Sequence, residues 1–135
     1  MIRKLIIATH GQGLHEITLA VEDAVRECGL DEGLCTIFIQ HTSASLIVQE
    51  NADPSVCRDL ERWLSRLIPE GDSLYTHNSE GADDMPAHVK AALTASSISI
   101  PITDGRLSLG TWQGIYLWEH RRRKAARQVV VHVQR

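Results

Sequence analysis

Polar side chains that could do chemistry occur in two short stretches, each directly after an apolar run. The stretches are His41-Thr42-Ser43-Ala44-Ser45, after the run 34–40, and Glu50-Asn51-Ala52-Asp53, after the run 46–48. An imidazole, hydroxyls, a carboxylate and an amide beside a helix N-terminus are typical of an anion site. Simpler roles remain open, because Asp53 could only cap the helix and the serines could only shape a turn.

Three histidines could share a site. His77 and His88 flank a long polar segment, and His41 ends an apolar run. Three imidazoles with an open position suit Zn²⁺, and imidazoles that titrate near neutrality can also divide general acid–base work. Their spacing is not local, so each of them could instead be an isolated polar residue.

A third candidate is Gly110-Thr111-Trp112-Gln113-Gly114, where an indole and an amide lie between two glycines. Glycine allows the backbone to approach a ligand closely, Trp112 could stack on a planar ring, and Gln113 could hydrogen-bond to its edge. A tight turn with a packed tryptophan would explain the same residues. Trp63, by contrast, falls on the apolar stripe of a helix, and we expect it in the core.

Charge is distributed unevenly along the chain. Residues 1–119 contain 8 Lys/Arg and 17 Asp/Glu, whereas residues 120–135 contain 6 Lys/Arg and no acid. The segment His120-Arg121-Arg122-Arg123-Lys124 superficially matches a nucleic-acid patch. We predict instead a solvated turn that links two strands of a hairpin and meets acidic residues, a neighbouring subunit or a substrate phosphate, with nucleic acid unlikely as a partner.

The elements that must position these groups follow from hydrophobic periodicity. Apolar positions from Ile17 to Cys28 recur at helical spacing, and Gly29 ends this helix. Asp53-Pro54 predicts a second helix that Pro69 stops, with Val56, Leu60, Trp63, Leu64 and Leu67 as its buried stripe. The predicted strands are 3–9, 34–40, 46–48, 97–102, 107–109, 115–119 and 128–134, with strand 34–40 buried on both sides.

Residues Glu70 to Met85 lack periodicity and predict a long loop, which in a compact domain is usually functional. Residues 86–93 predict a short helix, and Asp104-Gly105 predicts a hairpin turn. Two or three helices among six or seven strands, without regular βαβ alternation, predict an α+β fold. We expect a single domain, 1–135, built on a mainly antiparallel sheet or sandwich.

Composition places the chain among ordinary domains. It has 135 residues, 43% of them hydrophobic and 23% charged, enough for a self-sufficient core. No apolar run is long enough for a membrane helix, and the first residues do not resemble a signal peptide. The three cysteines have no C-x-x-C spacing, so we expect neither a disulfide framework nor a thiolate zinc site, and a cytoplasmic location.

Five motifs in fixed order carry a family resemblance across nearly the whole chain. They are HTSAS (41–45), ENADP (50–54), GADDMPAHVKA (81–91), DGRLSLGTWQG (104–114) and LWEHR (117–121). The chain resembles the YjbQ family, also called UPF0047, whose members are described as secondary thiamine-phosphate synthases. The resemblance implies a compact α+β domain that assembles as a homotrimer, with its site near subunit interfaces.

The polar positions that the family shares fall on His41, Thr42, Ser43, Glu50, Asn51, Asp53, His77, Asp84, His88, Thr111, Trp112, Gln113 and Glu119. Two positions depart from the family pattern. Many relatives have Asn where Asp84 stands, and many have a Gly-Pro-Arg-x-Arg turn where this chain has residues 124–128. Only Arg127 therefore matches an arginine of that turn.

The implied reaction joins a pyrimidine diphosphate to a thiazole phosphate and releases pyrophosphate. It requires carboxylates for Mg²⁺, donors for phosphate and a surface for a flat ring. Glu50, Asp53 and Asp84 would supply the carboxylates. Thr42, Ser43 and Arg127 would supply the donors, and Trp112 would supply the surface for the ring. His41 and His88 would have acid–base or metal-binding roles, supported by Glu50.

Two alternatives stay open. The chain could be a zinc-dependent hydrolase, or a metal-binding module, that takes a phosphorylated metabolite at His41, His77 and His88. It could also be a non-catalytic trimer whose interface gathers polar groups for structural reasons.

Overall fold

A computed structural model describes residues 1–135 and shows eight strands and three helices. The elements in chain order are β1 (Ile2–Thr9), β2 (Gly13–Glu16), α1 (Thr18–Cys28), β3 (Gly33–Ile39), β4 (Ala44–Glu50), α2 (Pro54–Leu67), α3 (Asp84–Leu93), β5 (Ser97–Thr103), β6 (Arg106–Leu107), β7 (Gln113–Glu119) and β8 (Ala125–Gln134). The predicted α+β fold is confirmed. None of the three helices has the length and apolar character needed to cross a bilayer.

The strands form two antiparallel sheets. The larger has the order β1-β8-β3-β5-β6, and the smaller has the order β2-β7-β4. The inner face of the larger sheet packs on the smaller sheet and on α1, where Ile37, Val131, Leu46 and Leu117 are almost completely buried. Aliphatic side chains at every second position of β3, β7 and β8 supply this core, as strand geometry requires.

The outer face of the smaller sheet is also covered. Tyr116 and Trp118 alternate with the core residues of β7 and are buried on this side. Helix α2 contacts β2, and α3 contacts β4. Strand β7 is therefore buried on both faces, and the helices that cover it bring α3 to the start of β4.

Strand β3 lies in the middle of its sheet, as expected, but it is not buried on both sides. Cys35, Ile37 and Ile39 point into the core, whereas Phe38 is 46% exposed. Phe38 pairs with Val130 on the outer face of the larger sheet, where Ile6 is 70% exposed. No helix of the chain packs on this face, so its apolar side chains stay accessible.

Helix α2 begins after Asp53 and ends at Leu67, close to the predicted bounds, but its predicted core stripe is wrong. Only Leu64 is buried, while Trp63 and Leu67 are 50% and 53% exposed. The helix touches the protein mainly along β2, a strand of four residues, which is too short to cover a whole apolar stripe.

The basic segment also differs from the prediction. Its flanking strands, β7 and β8, belong to different sheets, so the segment passes from one sheet to the other and does not close a hairpin. His120 and Arg121 are 1% and 8% exposed, which excludes a solvated turn at these two residues. The Asp104-Gly105 hairpin between β5 and β6 is confirmed, with positive φ at both turn residues.

Candidate metal and anion site

Asp84 brings two histidines together at the start of β4. Asp84 and His88 lie four residues apart in α3 and therefore on one helix face, and His77 reaches them from the preceding loop. Asp84 Oδ2 is 2.7 Å from His77 Nε2 and 3.3 Å from His88 Nε2. The three potential ligand atoms lie within 4.8 Å of one another. We call these three residues the metal cluster.

Two members of the metal cluster, Asp84 and His88, are each oriented by a second contact. Arg121 donates from Nη1 to Asp84 Oδ1 at 2.5 Å, which leaves Oδ2 for the histidines. His88 Nδ1 donates to the carbonyl oxygen of Thr42 at 3.0 Å. This bond places the lone pair of a neutral His88 ring on Nε2, opposite a carboxylate oxygen. Two acceptors face each other there, so a proton or a cation must lie between them.

Burial acts to raise the pKa of Asp84, but the hydrogen bond from His77 and the charges of His88 and Arg121 outweigh it and hold the pKa below its ordinary value. Asp84 is 1% exposed. A buried carboxylate that stays ionised, with two imidazoles at its free oxygen, is a ligand set that a divalent transition metal accepts.

A second group, made of Thr9, His41, Glu119 and Arg127, lies beside the metal cluster. Arg127 donates to both carboxylate oxygens of Glu119, from Nε at 2.7 Å and from Nη2 at 2.8 Å. Thr9 donates to the same carboxylate at 2.7 Å. Burial would raise the pKa of Glu119, but Arg127 and the other donors hold it below its ordinary value. Arg127 is therefore fixed, with Nη1 directed at His41.

His41 faces two donors. Its Nδ1 accepts from the Ser43 backbone N–H at 3.0 Å, and its Nε2 lies 2.7 Å from Arg127 Nη1. Burial, followed by the Arg127 charge, lowers the pKa of His41, which favours the neutral ring. A neutral imidazole has only one acceptor nitrogen, so the ring N–H points at a guanidinium N–H. If the two groups moved apart, an anionic oxygen could accept from both.

His41 thus lies outside the metal cluster, and Asp84 is the third member. The charges of His41 and His88 still interact, so the two groups are neighbours. Thr42 contributes its carbonyl oxygen to His88, and the buried Ser43 contributes its backbone to His41 and His120. Eight of the predicted site residues meet at this end of the molecule, which we call the histidine end: His41, Thr42, Ser43, His77, Asp84, His88, Glu119 and Arg127.

The other predicted site residues meet at the far end of β4, which we call the tryptophan end: Glu50, Asn51, Asp53, Thr111, Trp112 and Gln113. Glu50 pairs with Gln113 across the sheet, and the Asn51 backbone donates to the Trp112 carbonyl at 2.9 Å. Asp53 caps α2 through the Ser55 backbone N–H at 2.9 Å. Trp112 is 63% exposed.

The tryptophan end adjoins a cavity of about 850 Å³, lined by apolar side chains of β1 and α1 together with Asn51, Thr111 and Gln113. The buried Oε2 atom of Glu50 has no hydrogen-bond partner. Strand β4 separates this end from the histidine end by about 20 Å, at roughly 3.3 Å per residue. Within one chain, the polar stretches 41–45 and 50–53 therefore do not converge.

Sequence reasoning did not single out Arg121, which holds the metal cluster in place. Arg121 belongs to a basic run whose composition predicted a solvated turn. In the structure its guanidinium donates to Asp83, to Asp84 and to the carbonyl oxygen of Glu80. Asp84 and His88 are four residues apart, about one helical turn, at the start of a helix. This spacing was the signal in the sequence for a shared pair of ligands.

Comparisons with known proteins agree with these motifs. The model of the UPF0047 protein YjbQ-like family matches residues 3–135. UPF0047 protein sll1880 of Synechocystis is 54% identical over 129 residues, which cover 96% of this chain and 88% of the relative. UPF0047 protein YjbQ of Escherichia coli O157:H7 is 38% identical, with 98% and 96% covered.

Two crystal structures share the fold. An uncharacterised YjbQ/UPF0047 protein from Clostridium acetobutylicum has a TM-score of 0.86 and 38% identity, with 99% of both chains covered. The conserved hypothetical protein TT1486 of Thermus thermophilus has a TM-score of 0.87 and 36% identity, with 98% of this chain and 99% of that chain covered. The chain therefore belongs to the YjbQ (UPF0047) family.

Proposed function

We propose that the chain is an enzyme that acts on a phosphorylated metabolite next to a divalent metal ion held by His77, Asp84 and His88. The observation that carries the proposal is the buried Asp84, whose Oδ2 faces an Nε2 atom of each histidine at 2.7 and 3.3 Å. Nitrogen ligands at about 2 Å from Zn²⁺ leave little more than about 3 Å between neighbouring ligand atoms. Small movements of His77 would meet that geometry.

The charges around the metal cluster favour an anionic substrate. Arg121 pairs with both Asp83 and Asp84, Arg127 pairs with Glu119, and His41 is held neutral. A divalent ion in the metal cluster would present its open coordination positions beside Arg127 and His41. A phosphate or diphosphate group could bind the ion there, while its other oxygens accept from Arg127 Nη1 and from the ring N–H of His41.

Imidazole ligands make Zn²⁺ the better candidate for the metal cluster itself. Mg²⁺ prefers oxygen ligands and usually keeps several waters, so it would arrive on a substrate diphosphate and be held by carboxylates. The three free cysteines, Cys28, Cys35 and Cys57, suit a reducing compartment such as the cytoplasm. Arg121, Arg122 and Arg127 all pair with acidic residues, so we expect no specific nucleic-acid binding.

The reaction we propose is the one that the sequence resemblance implies, in which a pyrimidine diphosphate and a thiazole phosphate form thiamine phosphate and pyrophosphate. Trp112 would stack on a flat ring, but it lies at the tryptophan end. A neighbouring subunit must then present its tryptophan end to the histidine end, as a closed homotrimer would allow. The exposed apolar face with Ile6, Phe38 and Val130 supports such an assembly.

Elemental analysis of protein purified without an affinity tag tests the metal. We expect stoichiometric zinc in the wild-type protein and its loss in Asp84→Asn and His88→Ala. The matched control is His10→Ala, which removes an exposed imidazole outside the metal cluster. Metal-free wild-type protein, or equal metal loss in the control, would contradict the proposal.

An assay with both phosphorylated substrates and Mg²⁺ tests the reaction. Thiamine phosphate and pyrophosphate should form together in the wild-type protein and disappear in His88→Ala. Release of phosphate from either substrate alone would replace the synthase with the hydrolase alternative. If no phosphorylated metabolite raises the melting temperature, the non-catalytic alternative holds.

A further inference from the structure

The loop before α3 carries a second carboxylate to the metal cluster. Glu80 Oε2 lies 3.6 Å from His77 Nε2, and its side chain is 62% exposed. An interaction with the Glu80 side chain also helps to lower the pKa of Asp84. Glu80 is therefore an acidic group of the loop that is close to His77 and acts on Asp84.

The position of Glu80 is fixed through its backbone. Arg121 Nη2 donates to the Glu80 carbonyl at 2.9 Å, while Nη1 of the same guanidinium donates to Asp84 Oδ1. One buried arginine thus sets the distance between the loop and the first turn of α3. The exposed carboxylate of Glu80 can rotate, but its starting point relative to Asp84 is held.

Two carboxylates that approach each other need a shared proton or a cation between them. Arg121 does not serve this purpose, because it bonds to the other oxygen of Asp84 and to the backbone of Glu80. Glu80 is not one of the three residues whose ligand atoms lie within 4.8 Å of one another. A cation at the metal cluster would gain Glu80 as a ligand when this exposed side chain turns further towards His77, which is 3.6 Å away.

We infer that Glu80 is a fourth protein ligand of the metal ion, so that the complete set is His77, Glu80, Asp84 and His88. This inference rests on the proposed metal site. Two of the ligands come from the loop and two from α3, so metal binding would also fasten residues 77–80 to the helix. A set of two imidazoles and two carboxylates suits Zn²⁺ or Mn²⁺ better than Ca²⁺.

Competition with a chromophoric chelator measures the zinc affinity of the wild-type protein, Glu80→Gln and Glu32→Gln. Gln keeps the length of the side chain and removes its charge, and Glu32 is an exposed control on the turn before β3. We expect Glu80→Gln to weaken zinc binding by roughly 10- to 100-fold or more, the range found for groups that support a metal, and Glu32→Gln to have no effect.

Cleavage by chymotrypsin near Leu74 and Tyr75 gives a second readout, since Leu74 is 84% exposed. Saturating zinc should slow this cleavage in the wild-type protein and slow it less in Glu80→Gln. If Glu80→Gln binds zinc as tightly as the wild-type protein and His88→Ala does not, the inference is overturned while the metal site stands. If the wild-type protein binds no zinc, both are overturned.

Discussion

Glu119 is the best-satisfied buried carboxylate at the histidine end, because its oxygens accept from Thr9, Arg127 and the backbone of His120 and Arg121. Its main partner, Arg127, is almost as deeply buried. The two charges are therefore stable in the interior only together, since removing one partner leaves the other desolvated and unpaired.

Glu119→Gln tests this dependence, because it preserves shape and removes charge. We expect the free energy of unfolding to fall by about 3–5 kcal/mol, measured by urea denaturation at pH 7. In the double variant Glu119→Gln/Arg127→Met, part of the loss should return, since no unpaired charge remains buried. A double variant less stable than the sum of the single changes would contradict the argument.

His120 makes stability depend on pH. Burial, with the nearby Lys90 charge, lowers the pKa of His120 from 6.5 to about 3, while Ser45 Oγ lies 2.9 Å from its Nε2. Below pH 6.5 His120 binds a proton in the unfolded chain but not in the folded chain. The free energy of unfolding therefore falls as the pH falls towards 3. Above about pH 7.5 the histidine contributes no pH dependence.

We expect the loss of stability between pH 7 and pH 4.5 to be smaller in His120→Gln than in the wild-type protein by roughly 2 kcal/mol. Urea denaturation at both pH values measures it, and the comparison of two slopes cancels the effects of other acids. Parallel slopes in the two proteins would show that His120 is protonated in the fold.

Among single residues, the residue types and their positions drew attention to His41, Asp84 and His88. The family resemblance alone added Glu119 and Arg127 to the site candidates. Sequence reasoning could not assign their partners, because the bond from Thr42 to His88 spans 46 residues and the one from His41 to Arg127 spans 86. Contacts of that kind depend on the path of the chain and not on local spacing.

At the scale of elements, α2 shows how periodicity misleads. Its apolar positions predict a helix, and the helix exists, but periodicity does not say how wide a surface the rest of the protein offers. Trp63 therefore lies half exposed beside the buried Leu64. By contrast, the hairpin between β5 and β6 was predictable, because its turn is decided by the two residues Asp104 and Gly105.

Two substitutions in α2 separate these roles. Trp63→Ala should lower the free energy of unfolding by about 1 kcal/mol or less, because its side chain is half exposed, whereas Leu64→Ala should lower it by about 2–5 kcal/mol. Urea midpoints of the two variants give the comparison. If both variants lost the same free energy of unfolding, the Trp63 side chain would be packed as closely as that of Leu64.

Strand β2 and the sheet change after β7 were not predictable from local patterns. Strand β2 has only four residues, begins at a glycine and includes His15 and Glu16, so it lacks an apolar signature. Two strands joined by a polar turn have the same sequence pattern whether they pair with each other or belong to different sheets. Here β7 is paired on both sides, with β2 and β4, so β8 cannot pair with it and lies in the other sheet.

For the whole molecule, the separation of the two ends decides whether one chain is sufficient. The histidine end has the metal cluster and Arg127, and the tryptophan end has an exposed indole, the cavity and the unpartnered Glu50 oxygen. If both ends serve one reaction, they must come from different subunits, and inactive subunits should then complement each other.

Mixed assemblies test this. His88→Ala and Trp112→Ala should each be inactive alone, while oligomers co-expressed from both should regain thiamine-phosphate formation at about a quarter of their sites, as random mixing in a ring predicts. A His88→Ala/Trp112→Ala double variant, co-expressed with wild-type protein, serves as the control. If the mixed oligomers of the two single variants remain inactive, each site lies within one chain.

The strand order has a consequence for biosynthesis. Strand β8 is the last of the eight in the chain, yet it lies between β1, the first, and β3. The larger sheet therefore cannot be completed until residues 125–134 have left the ribosome, many seconds after β1 at a synthesis rate of about 5–20 residues per second. During that interval the edges of β1 and β3 that β8 joins have no native neighbour, and their unpaired backbone groups could pair with another chain.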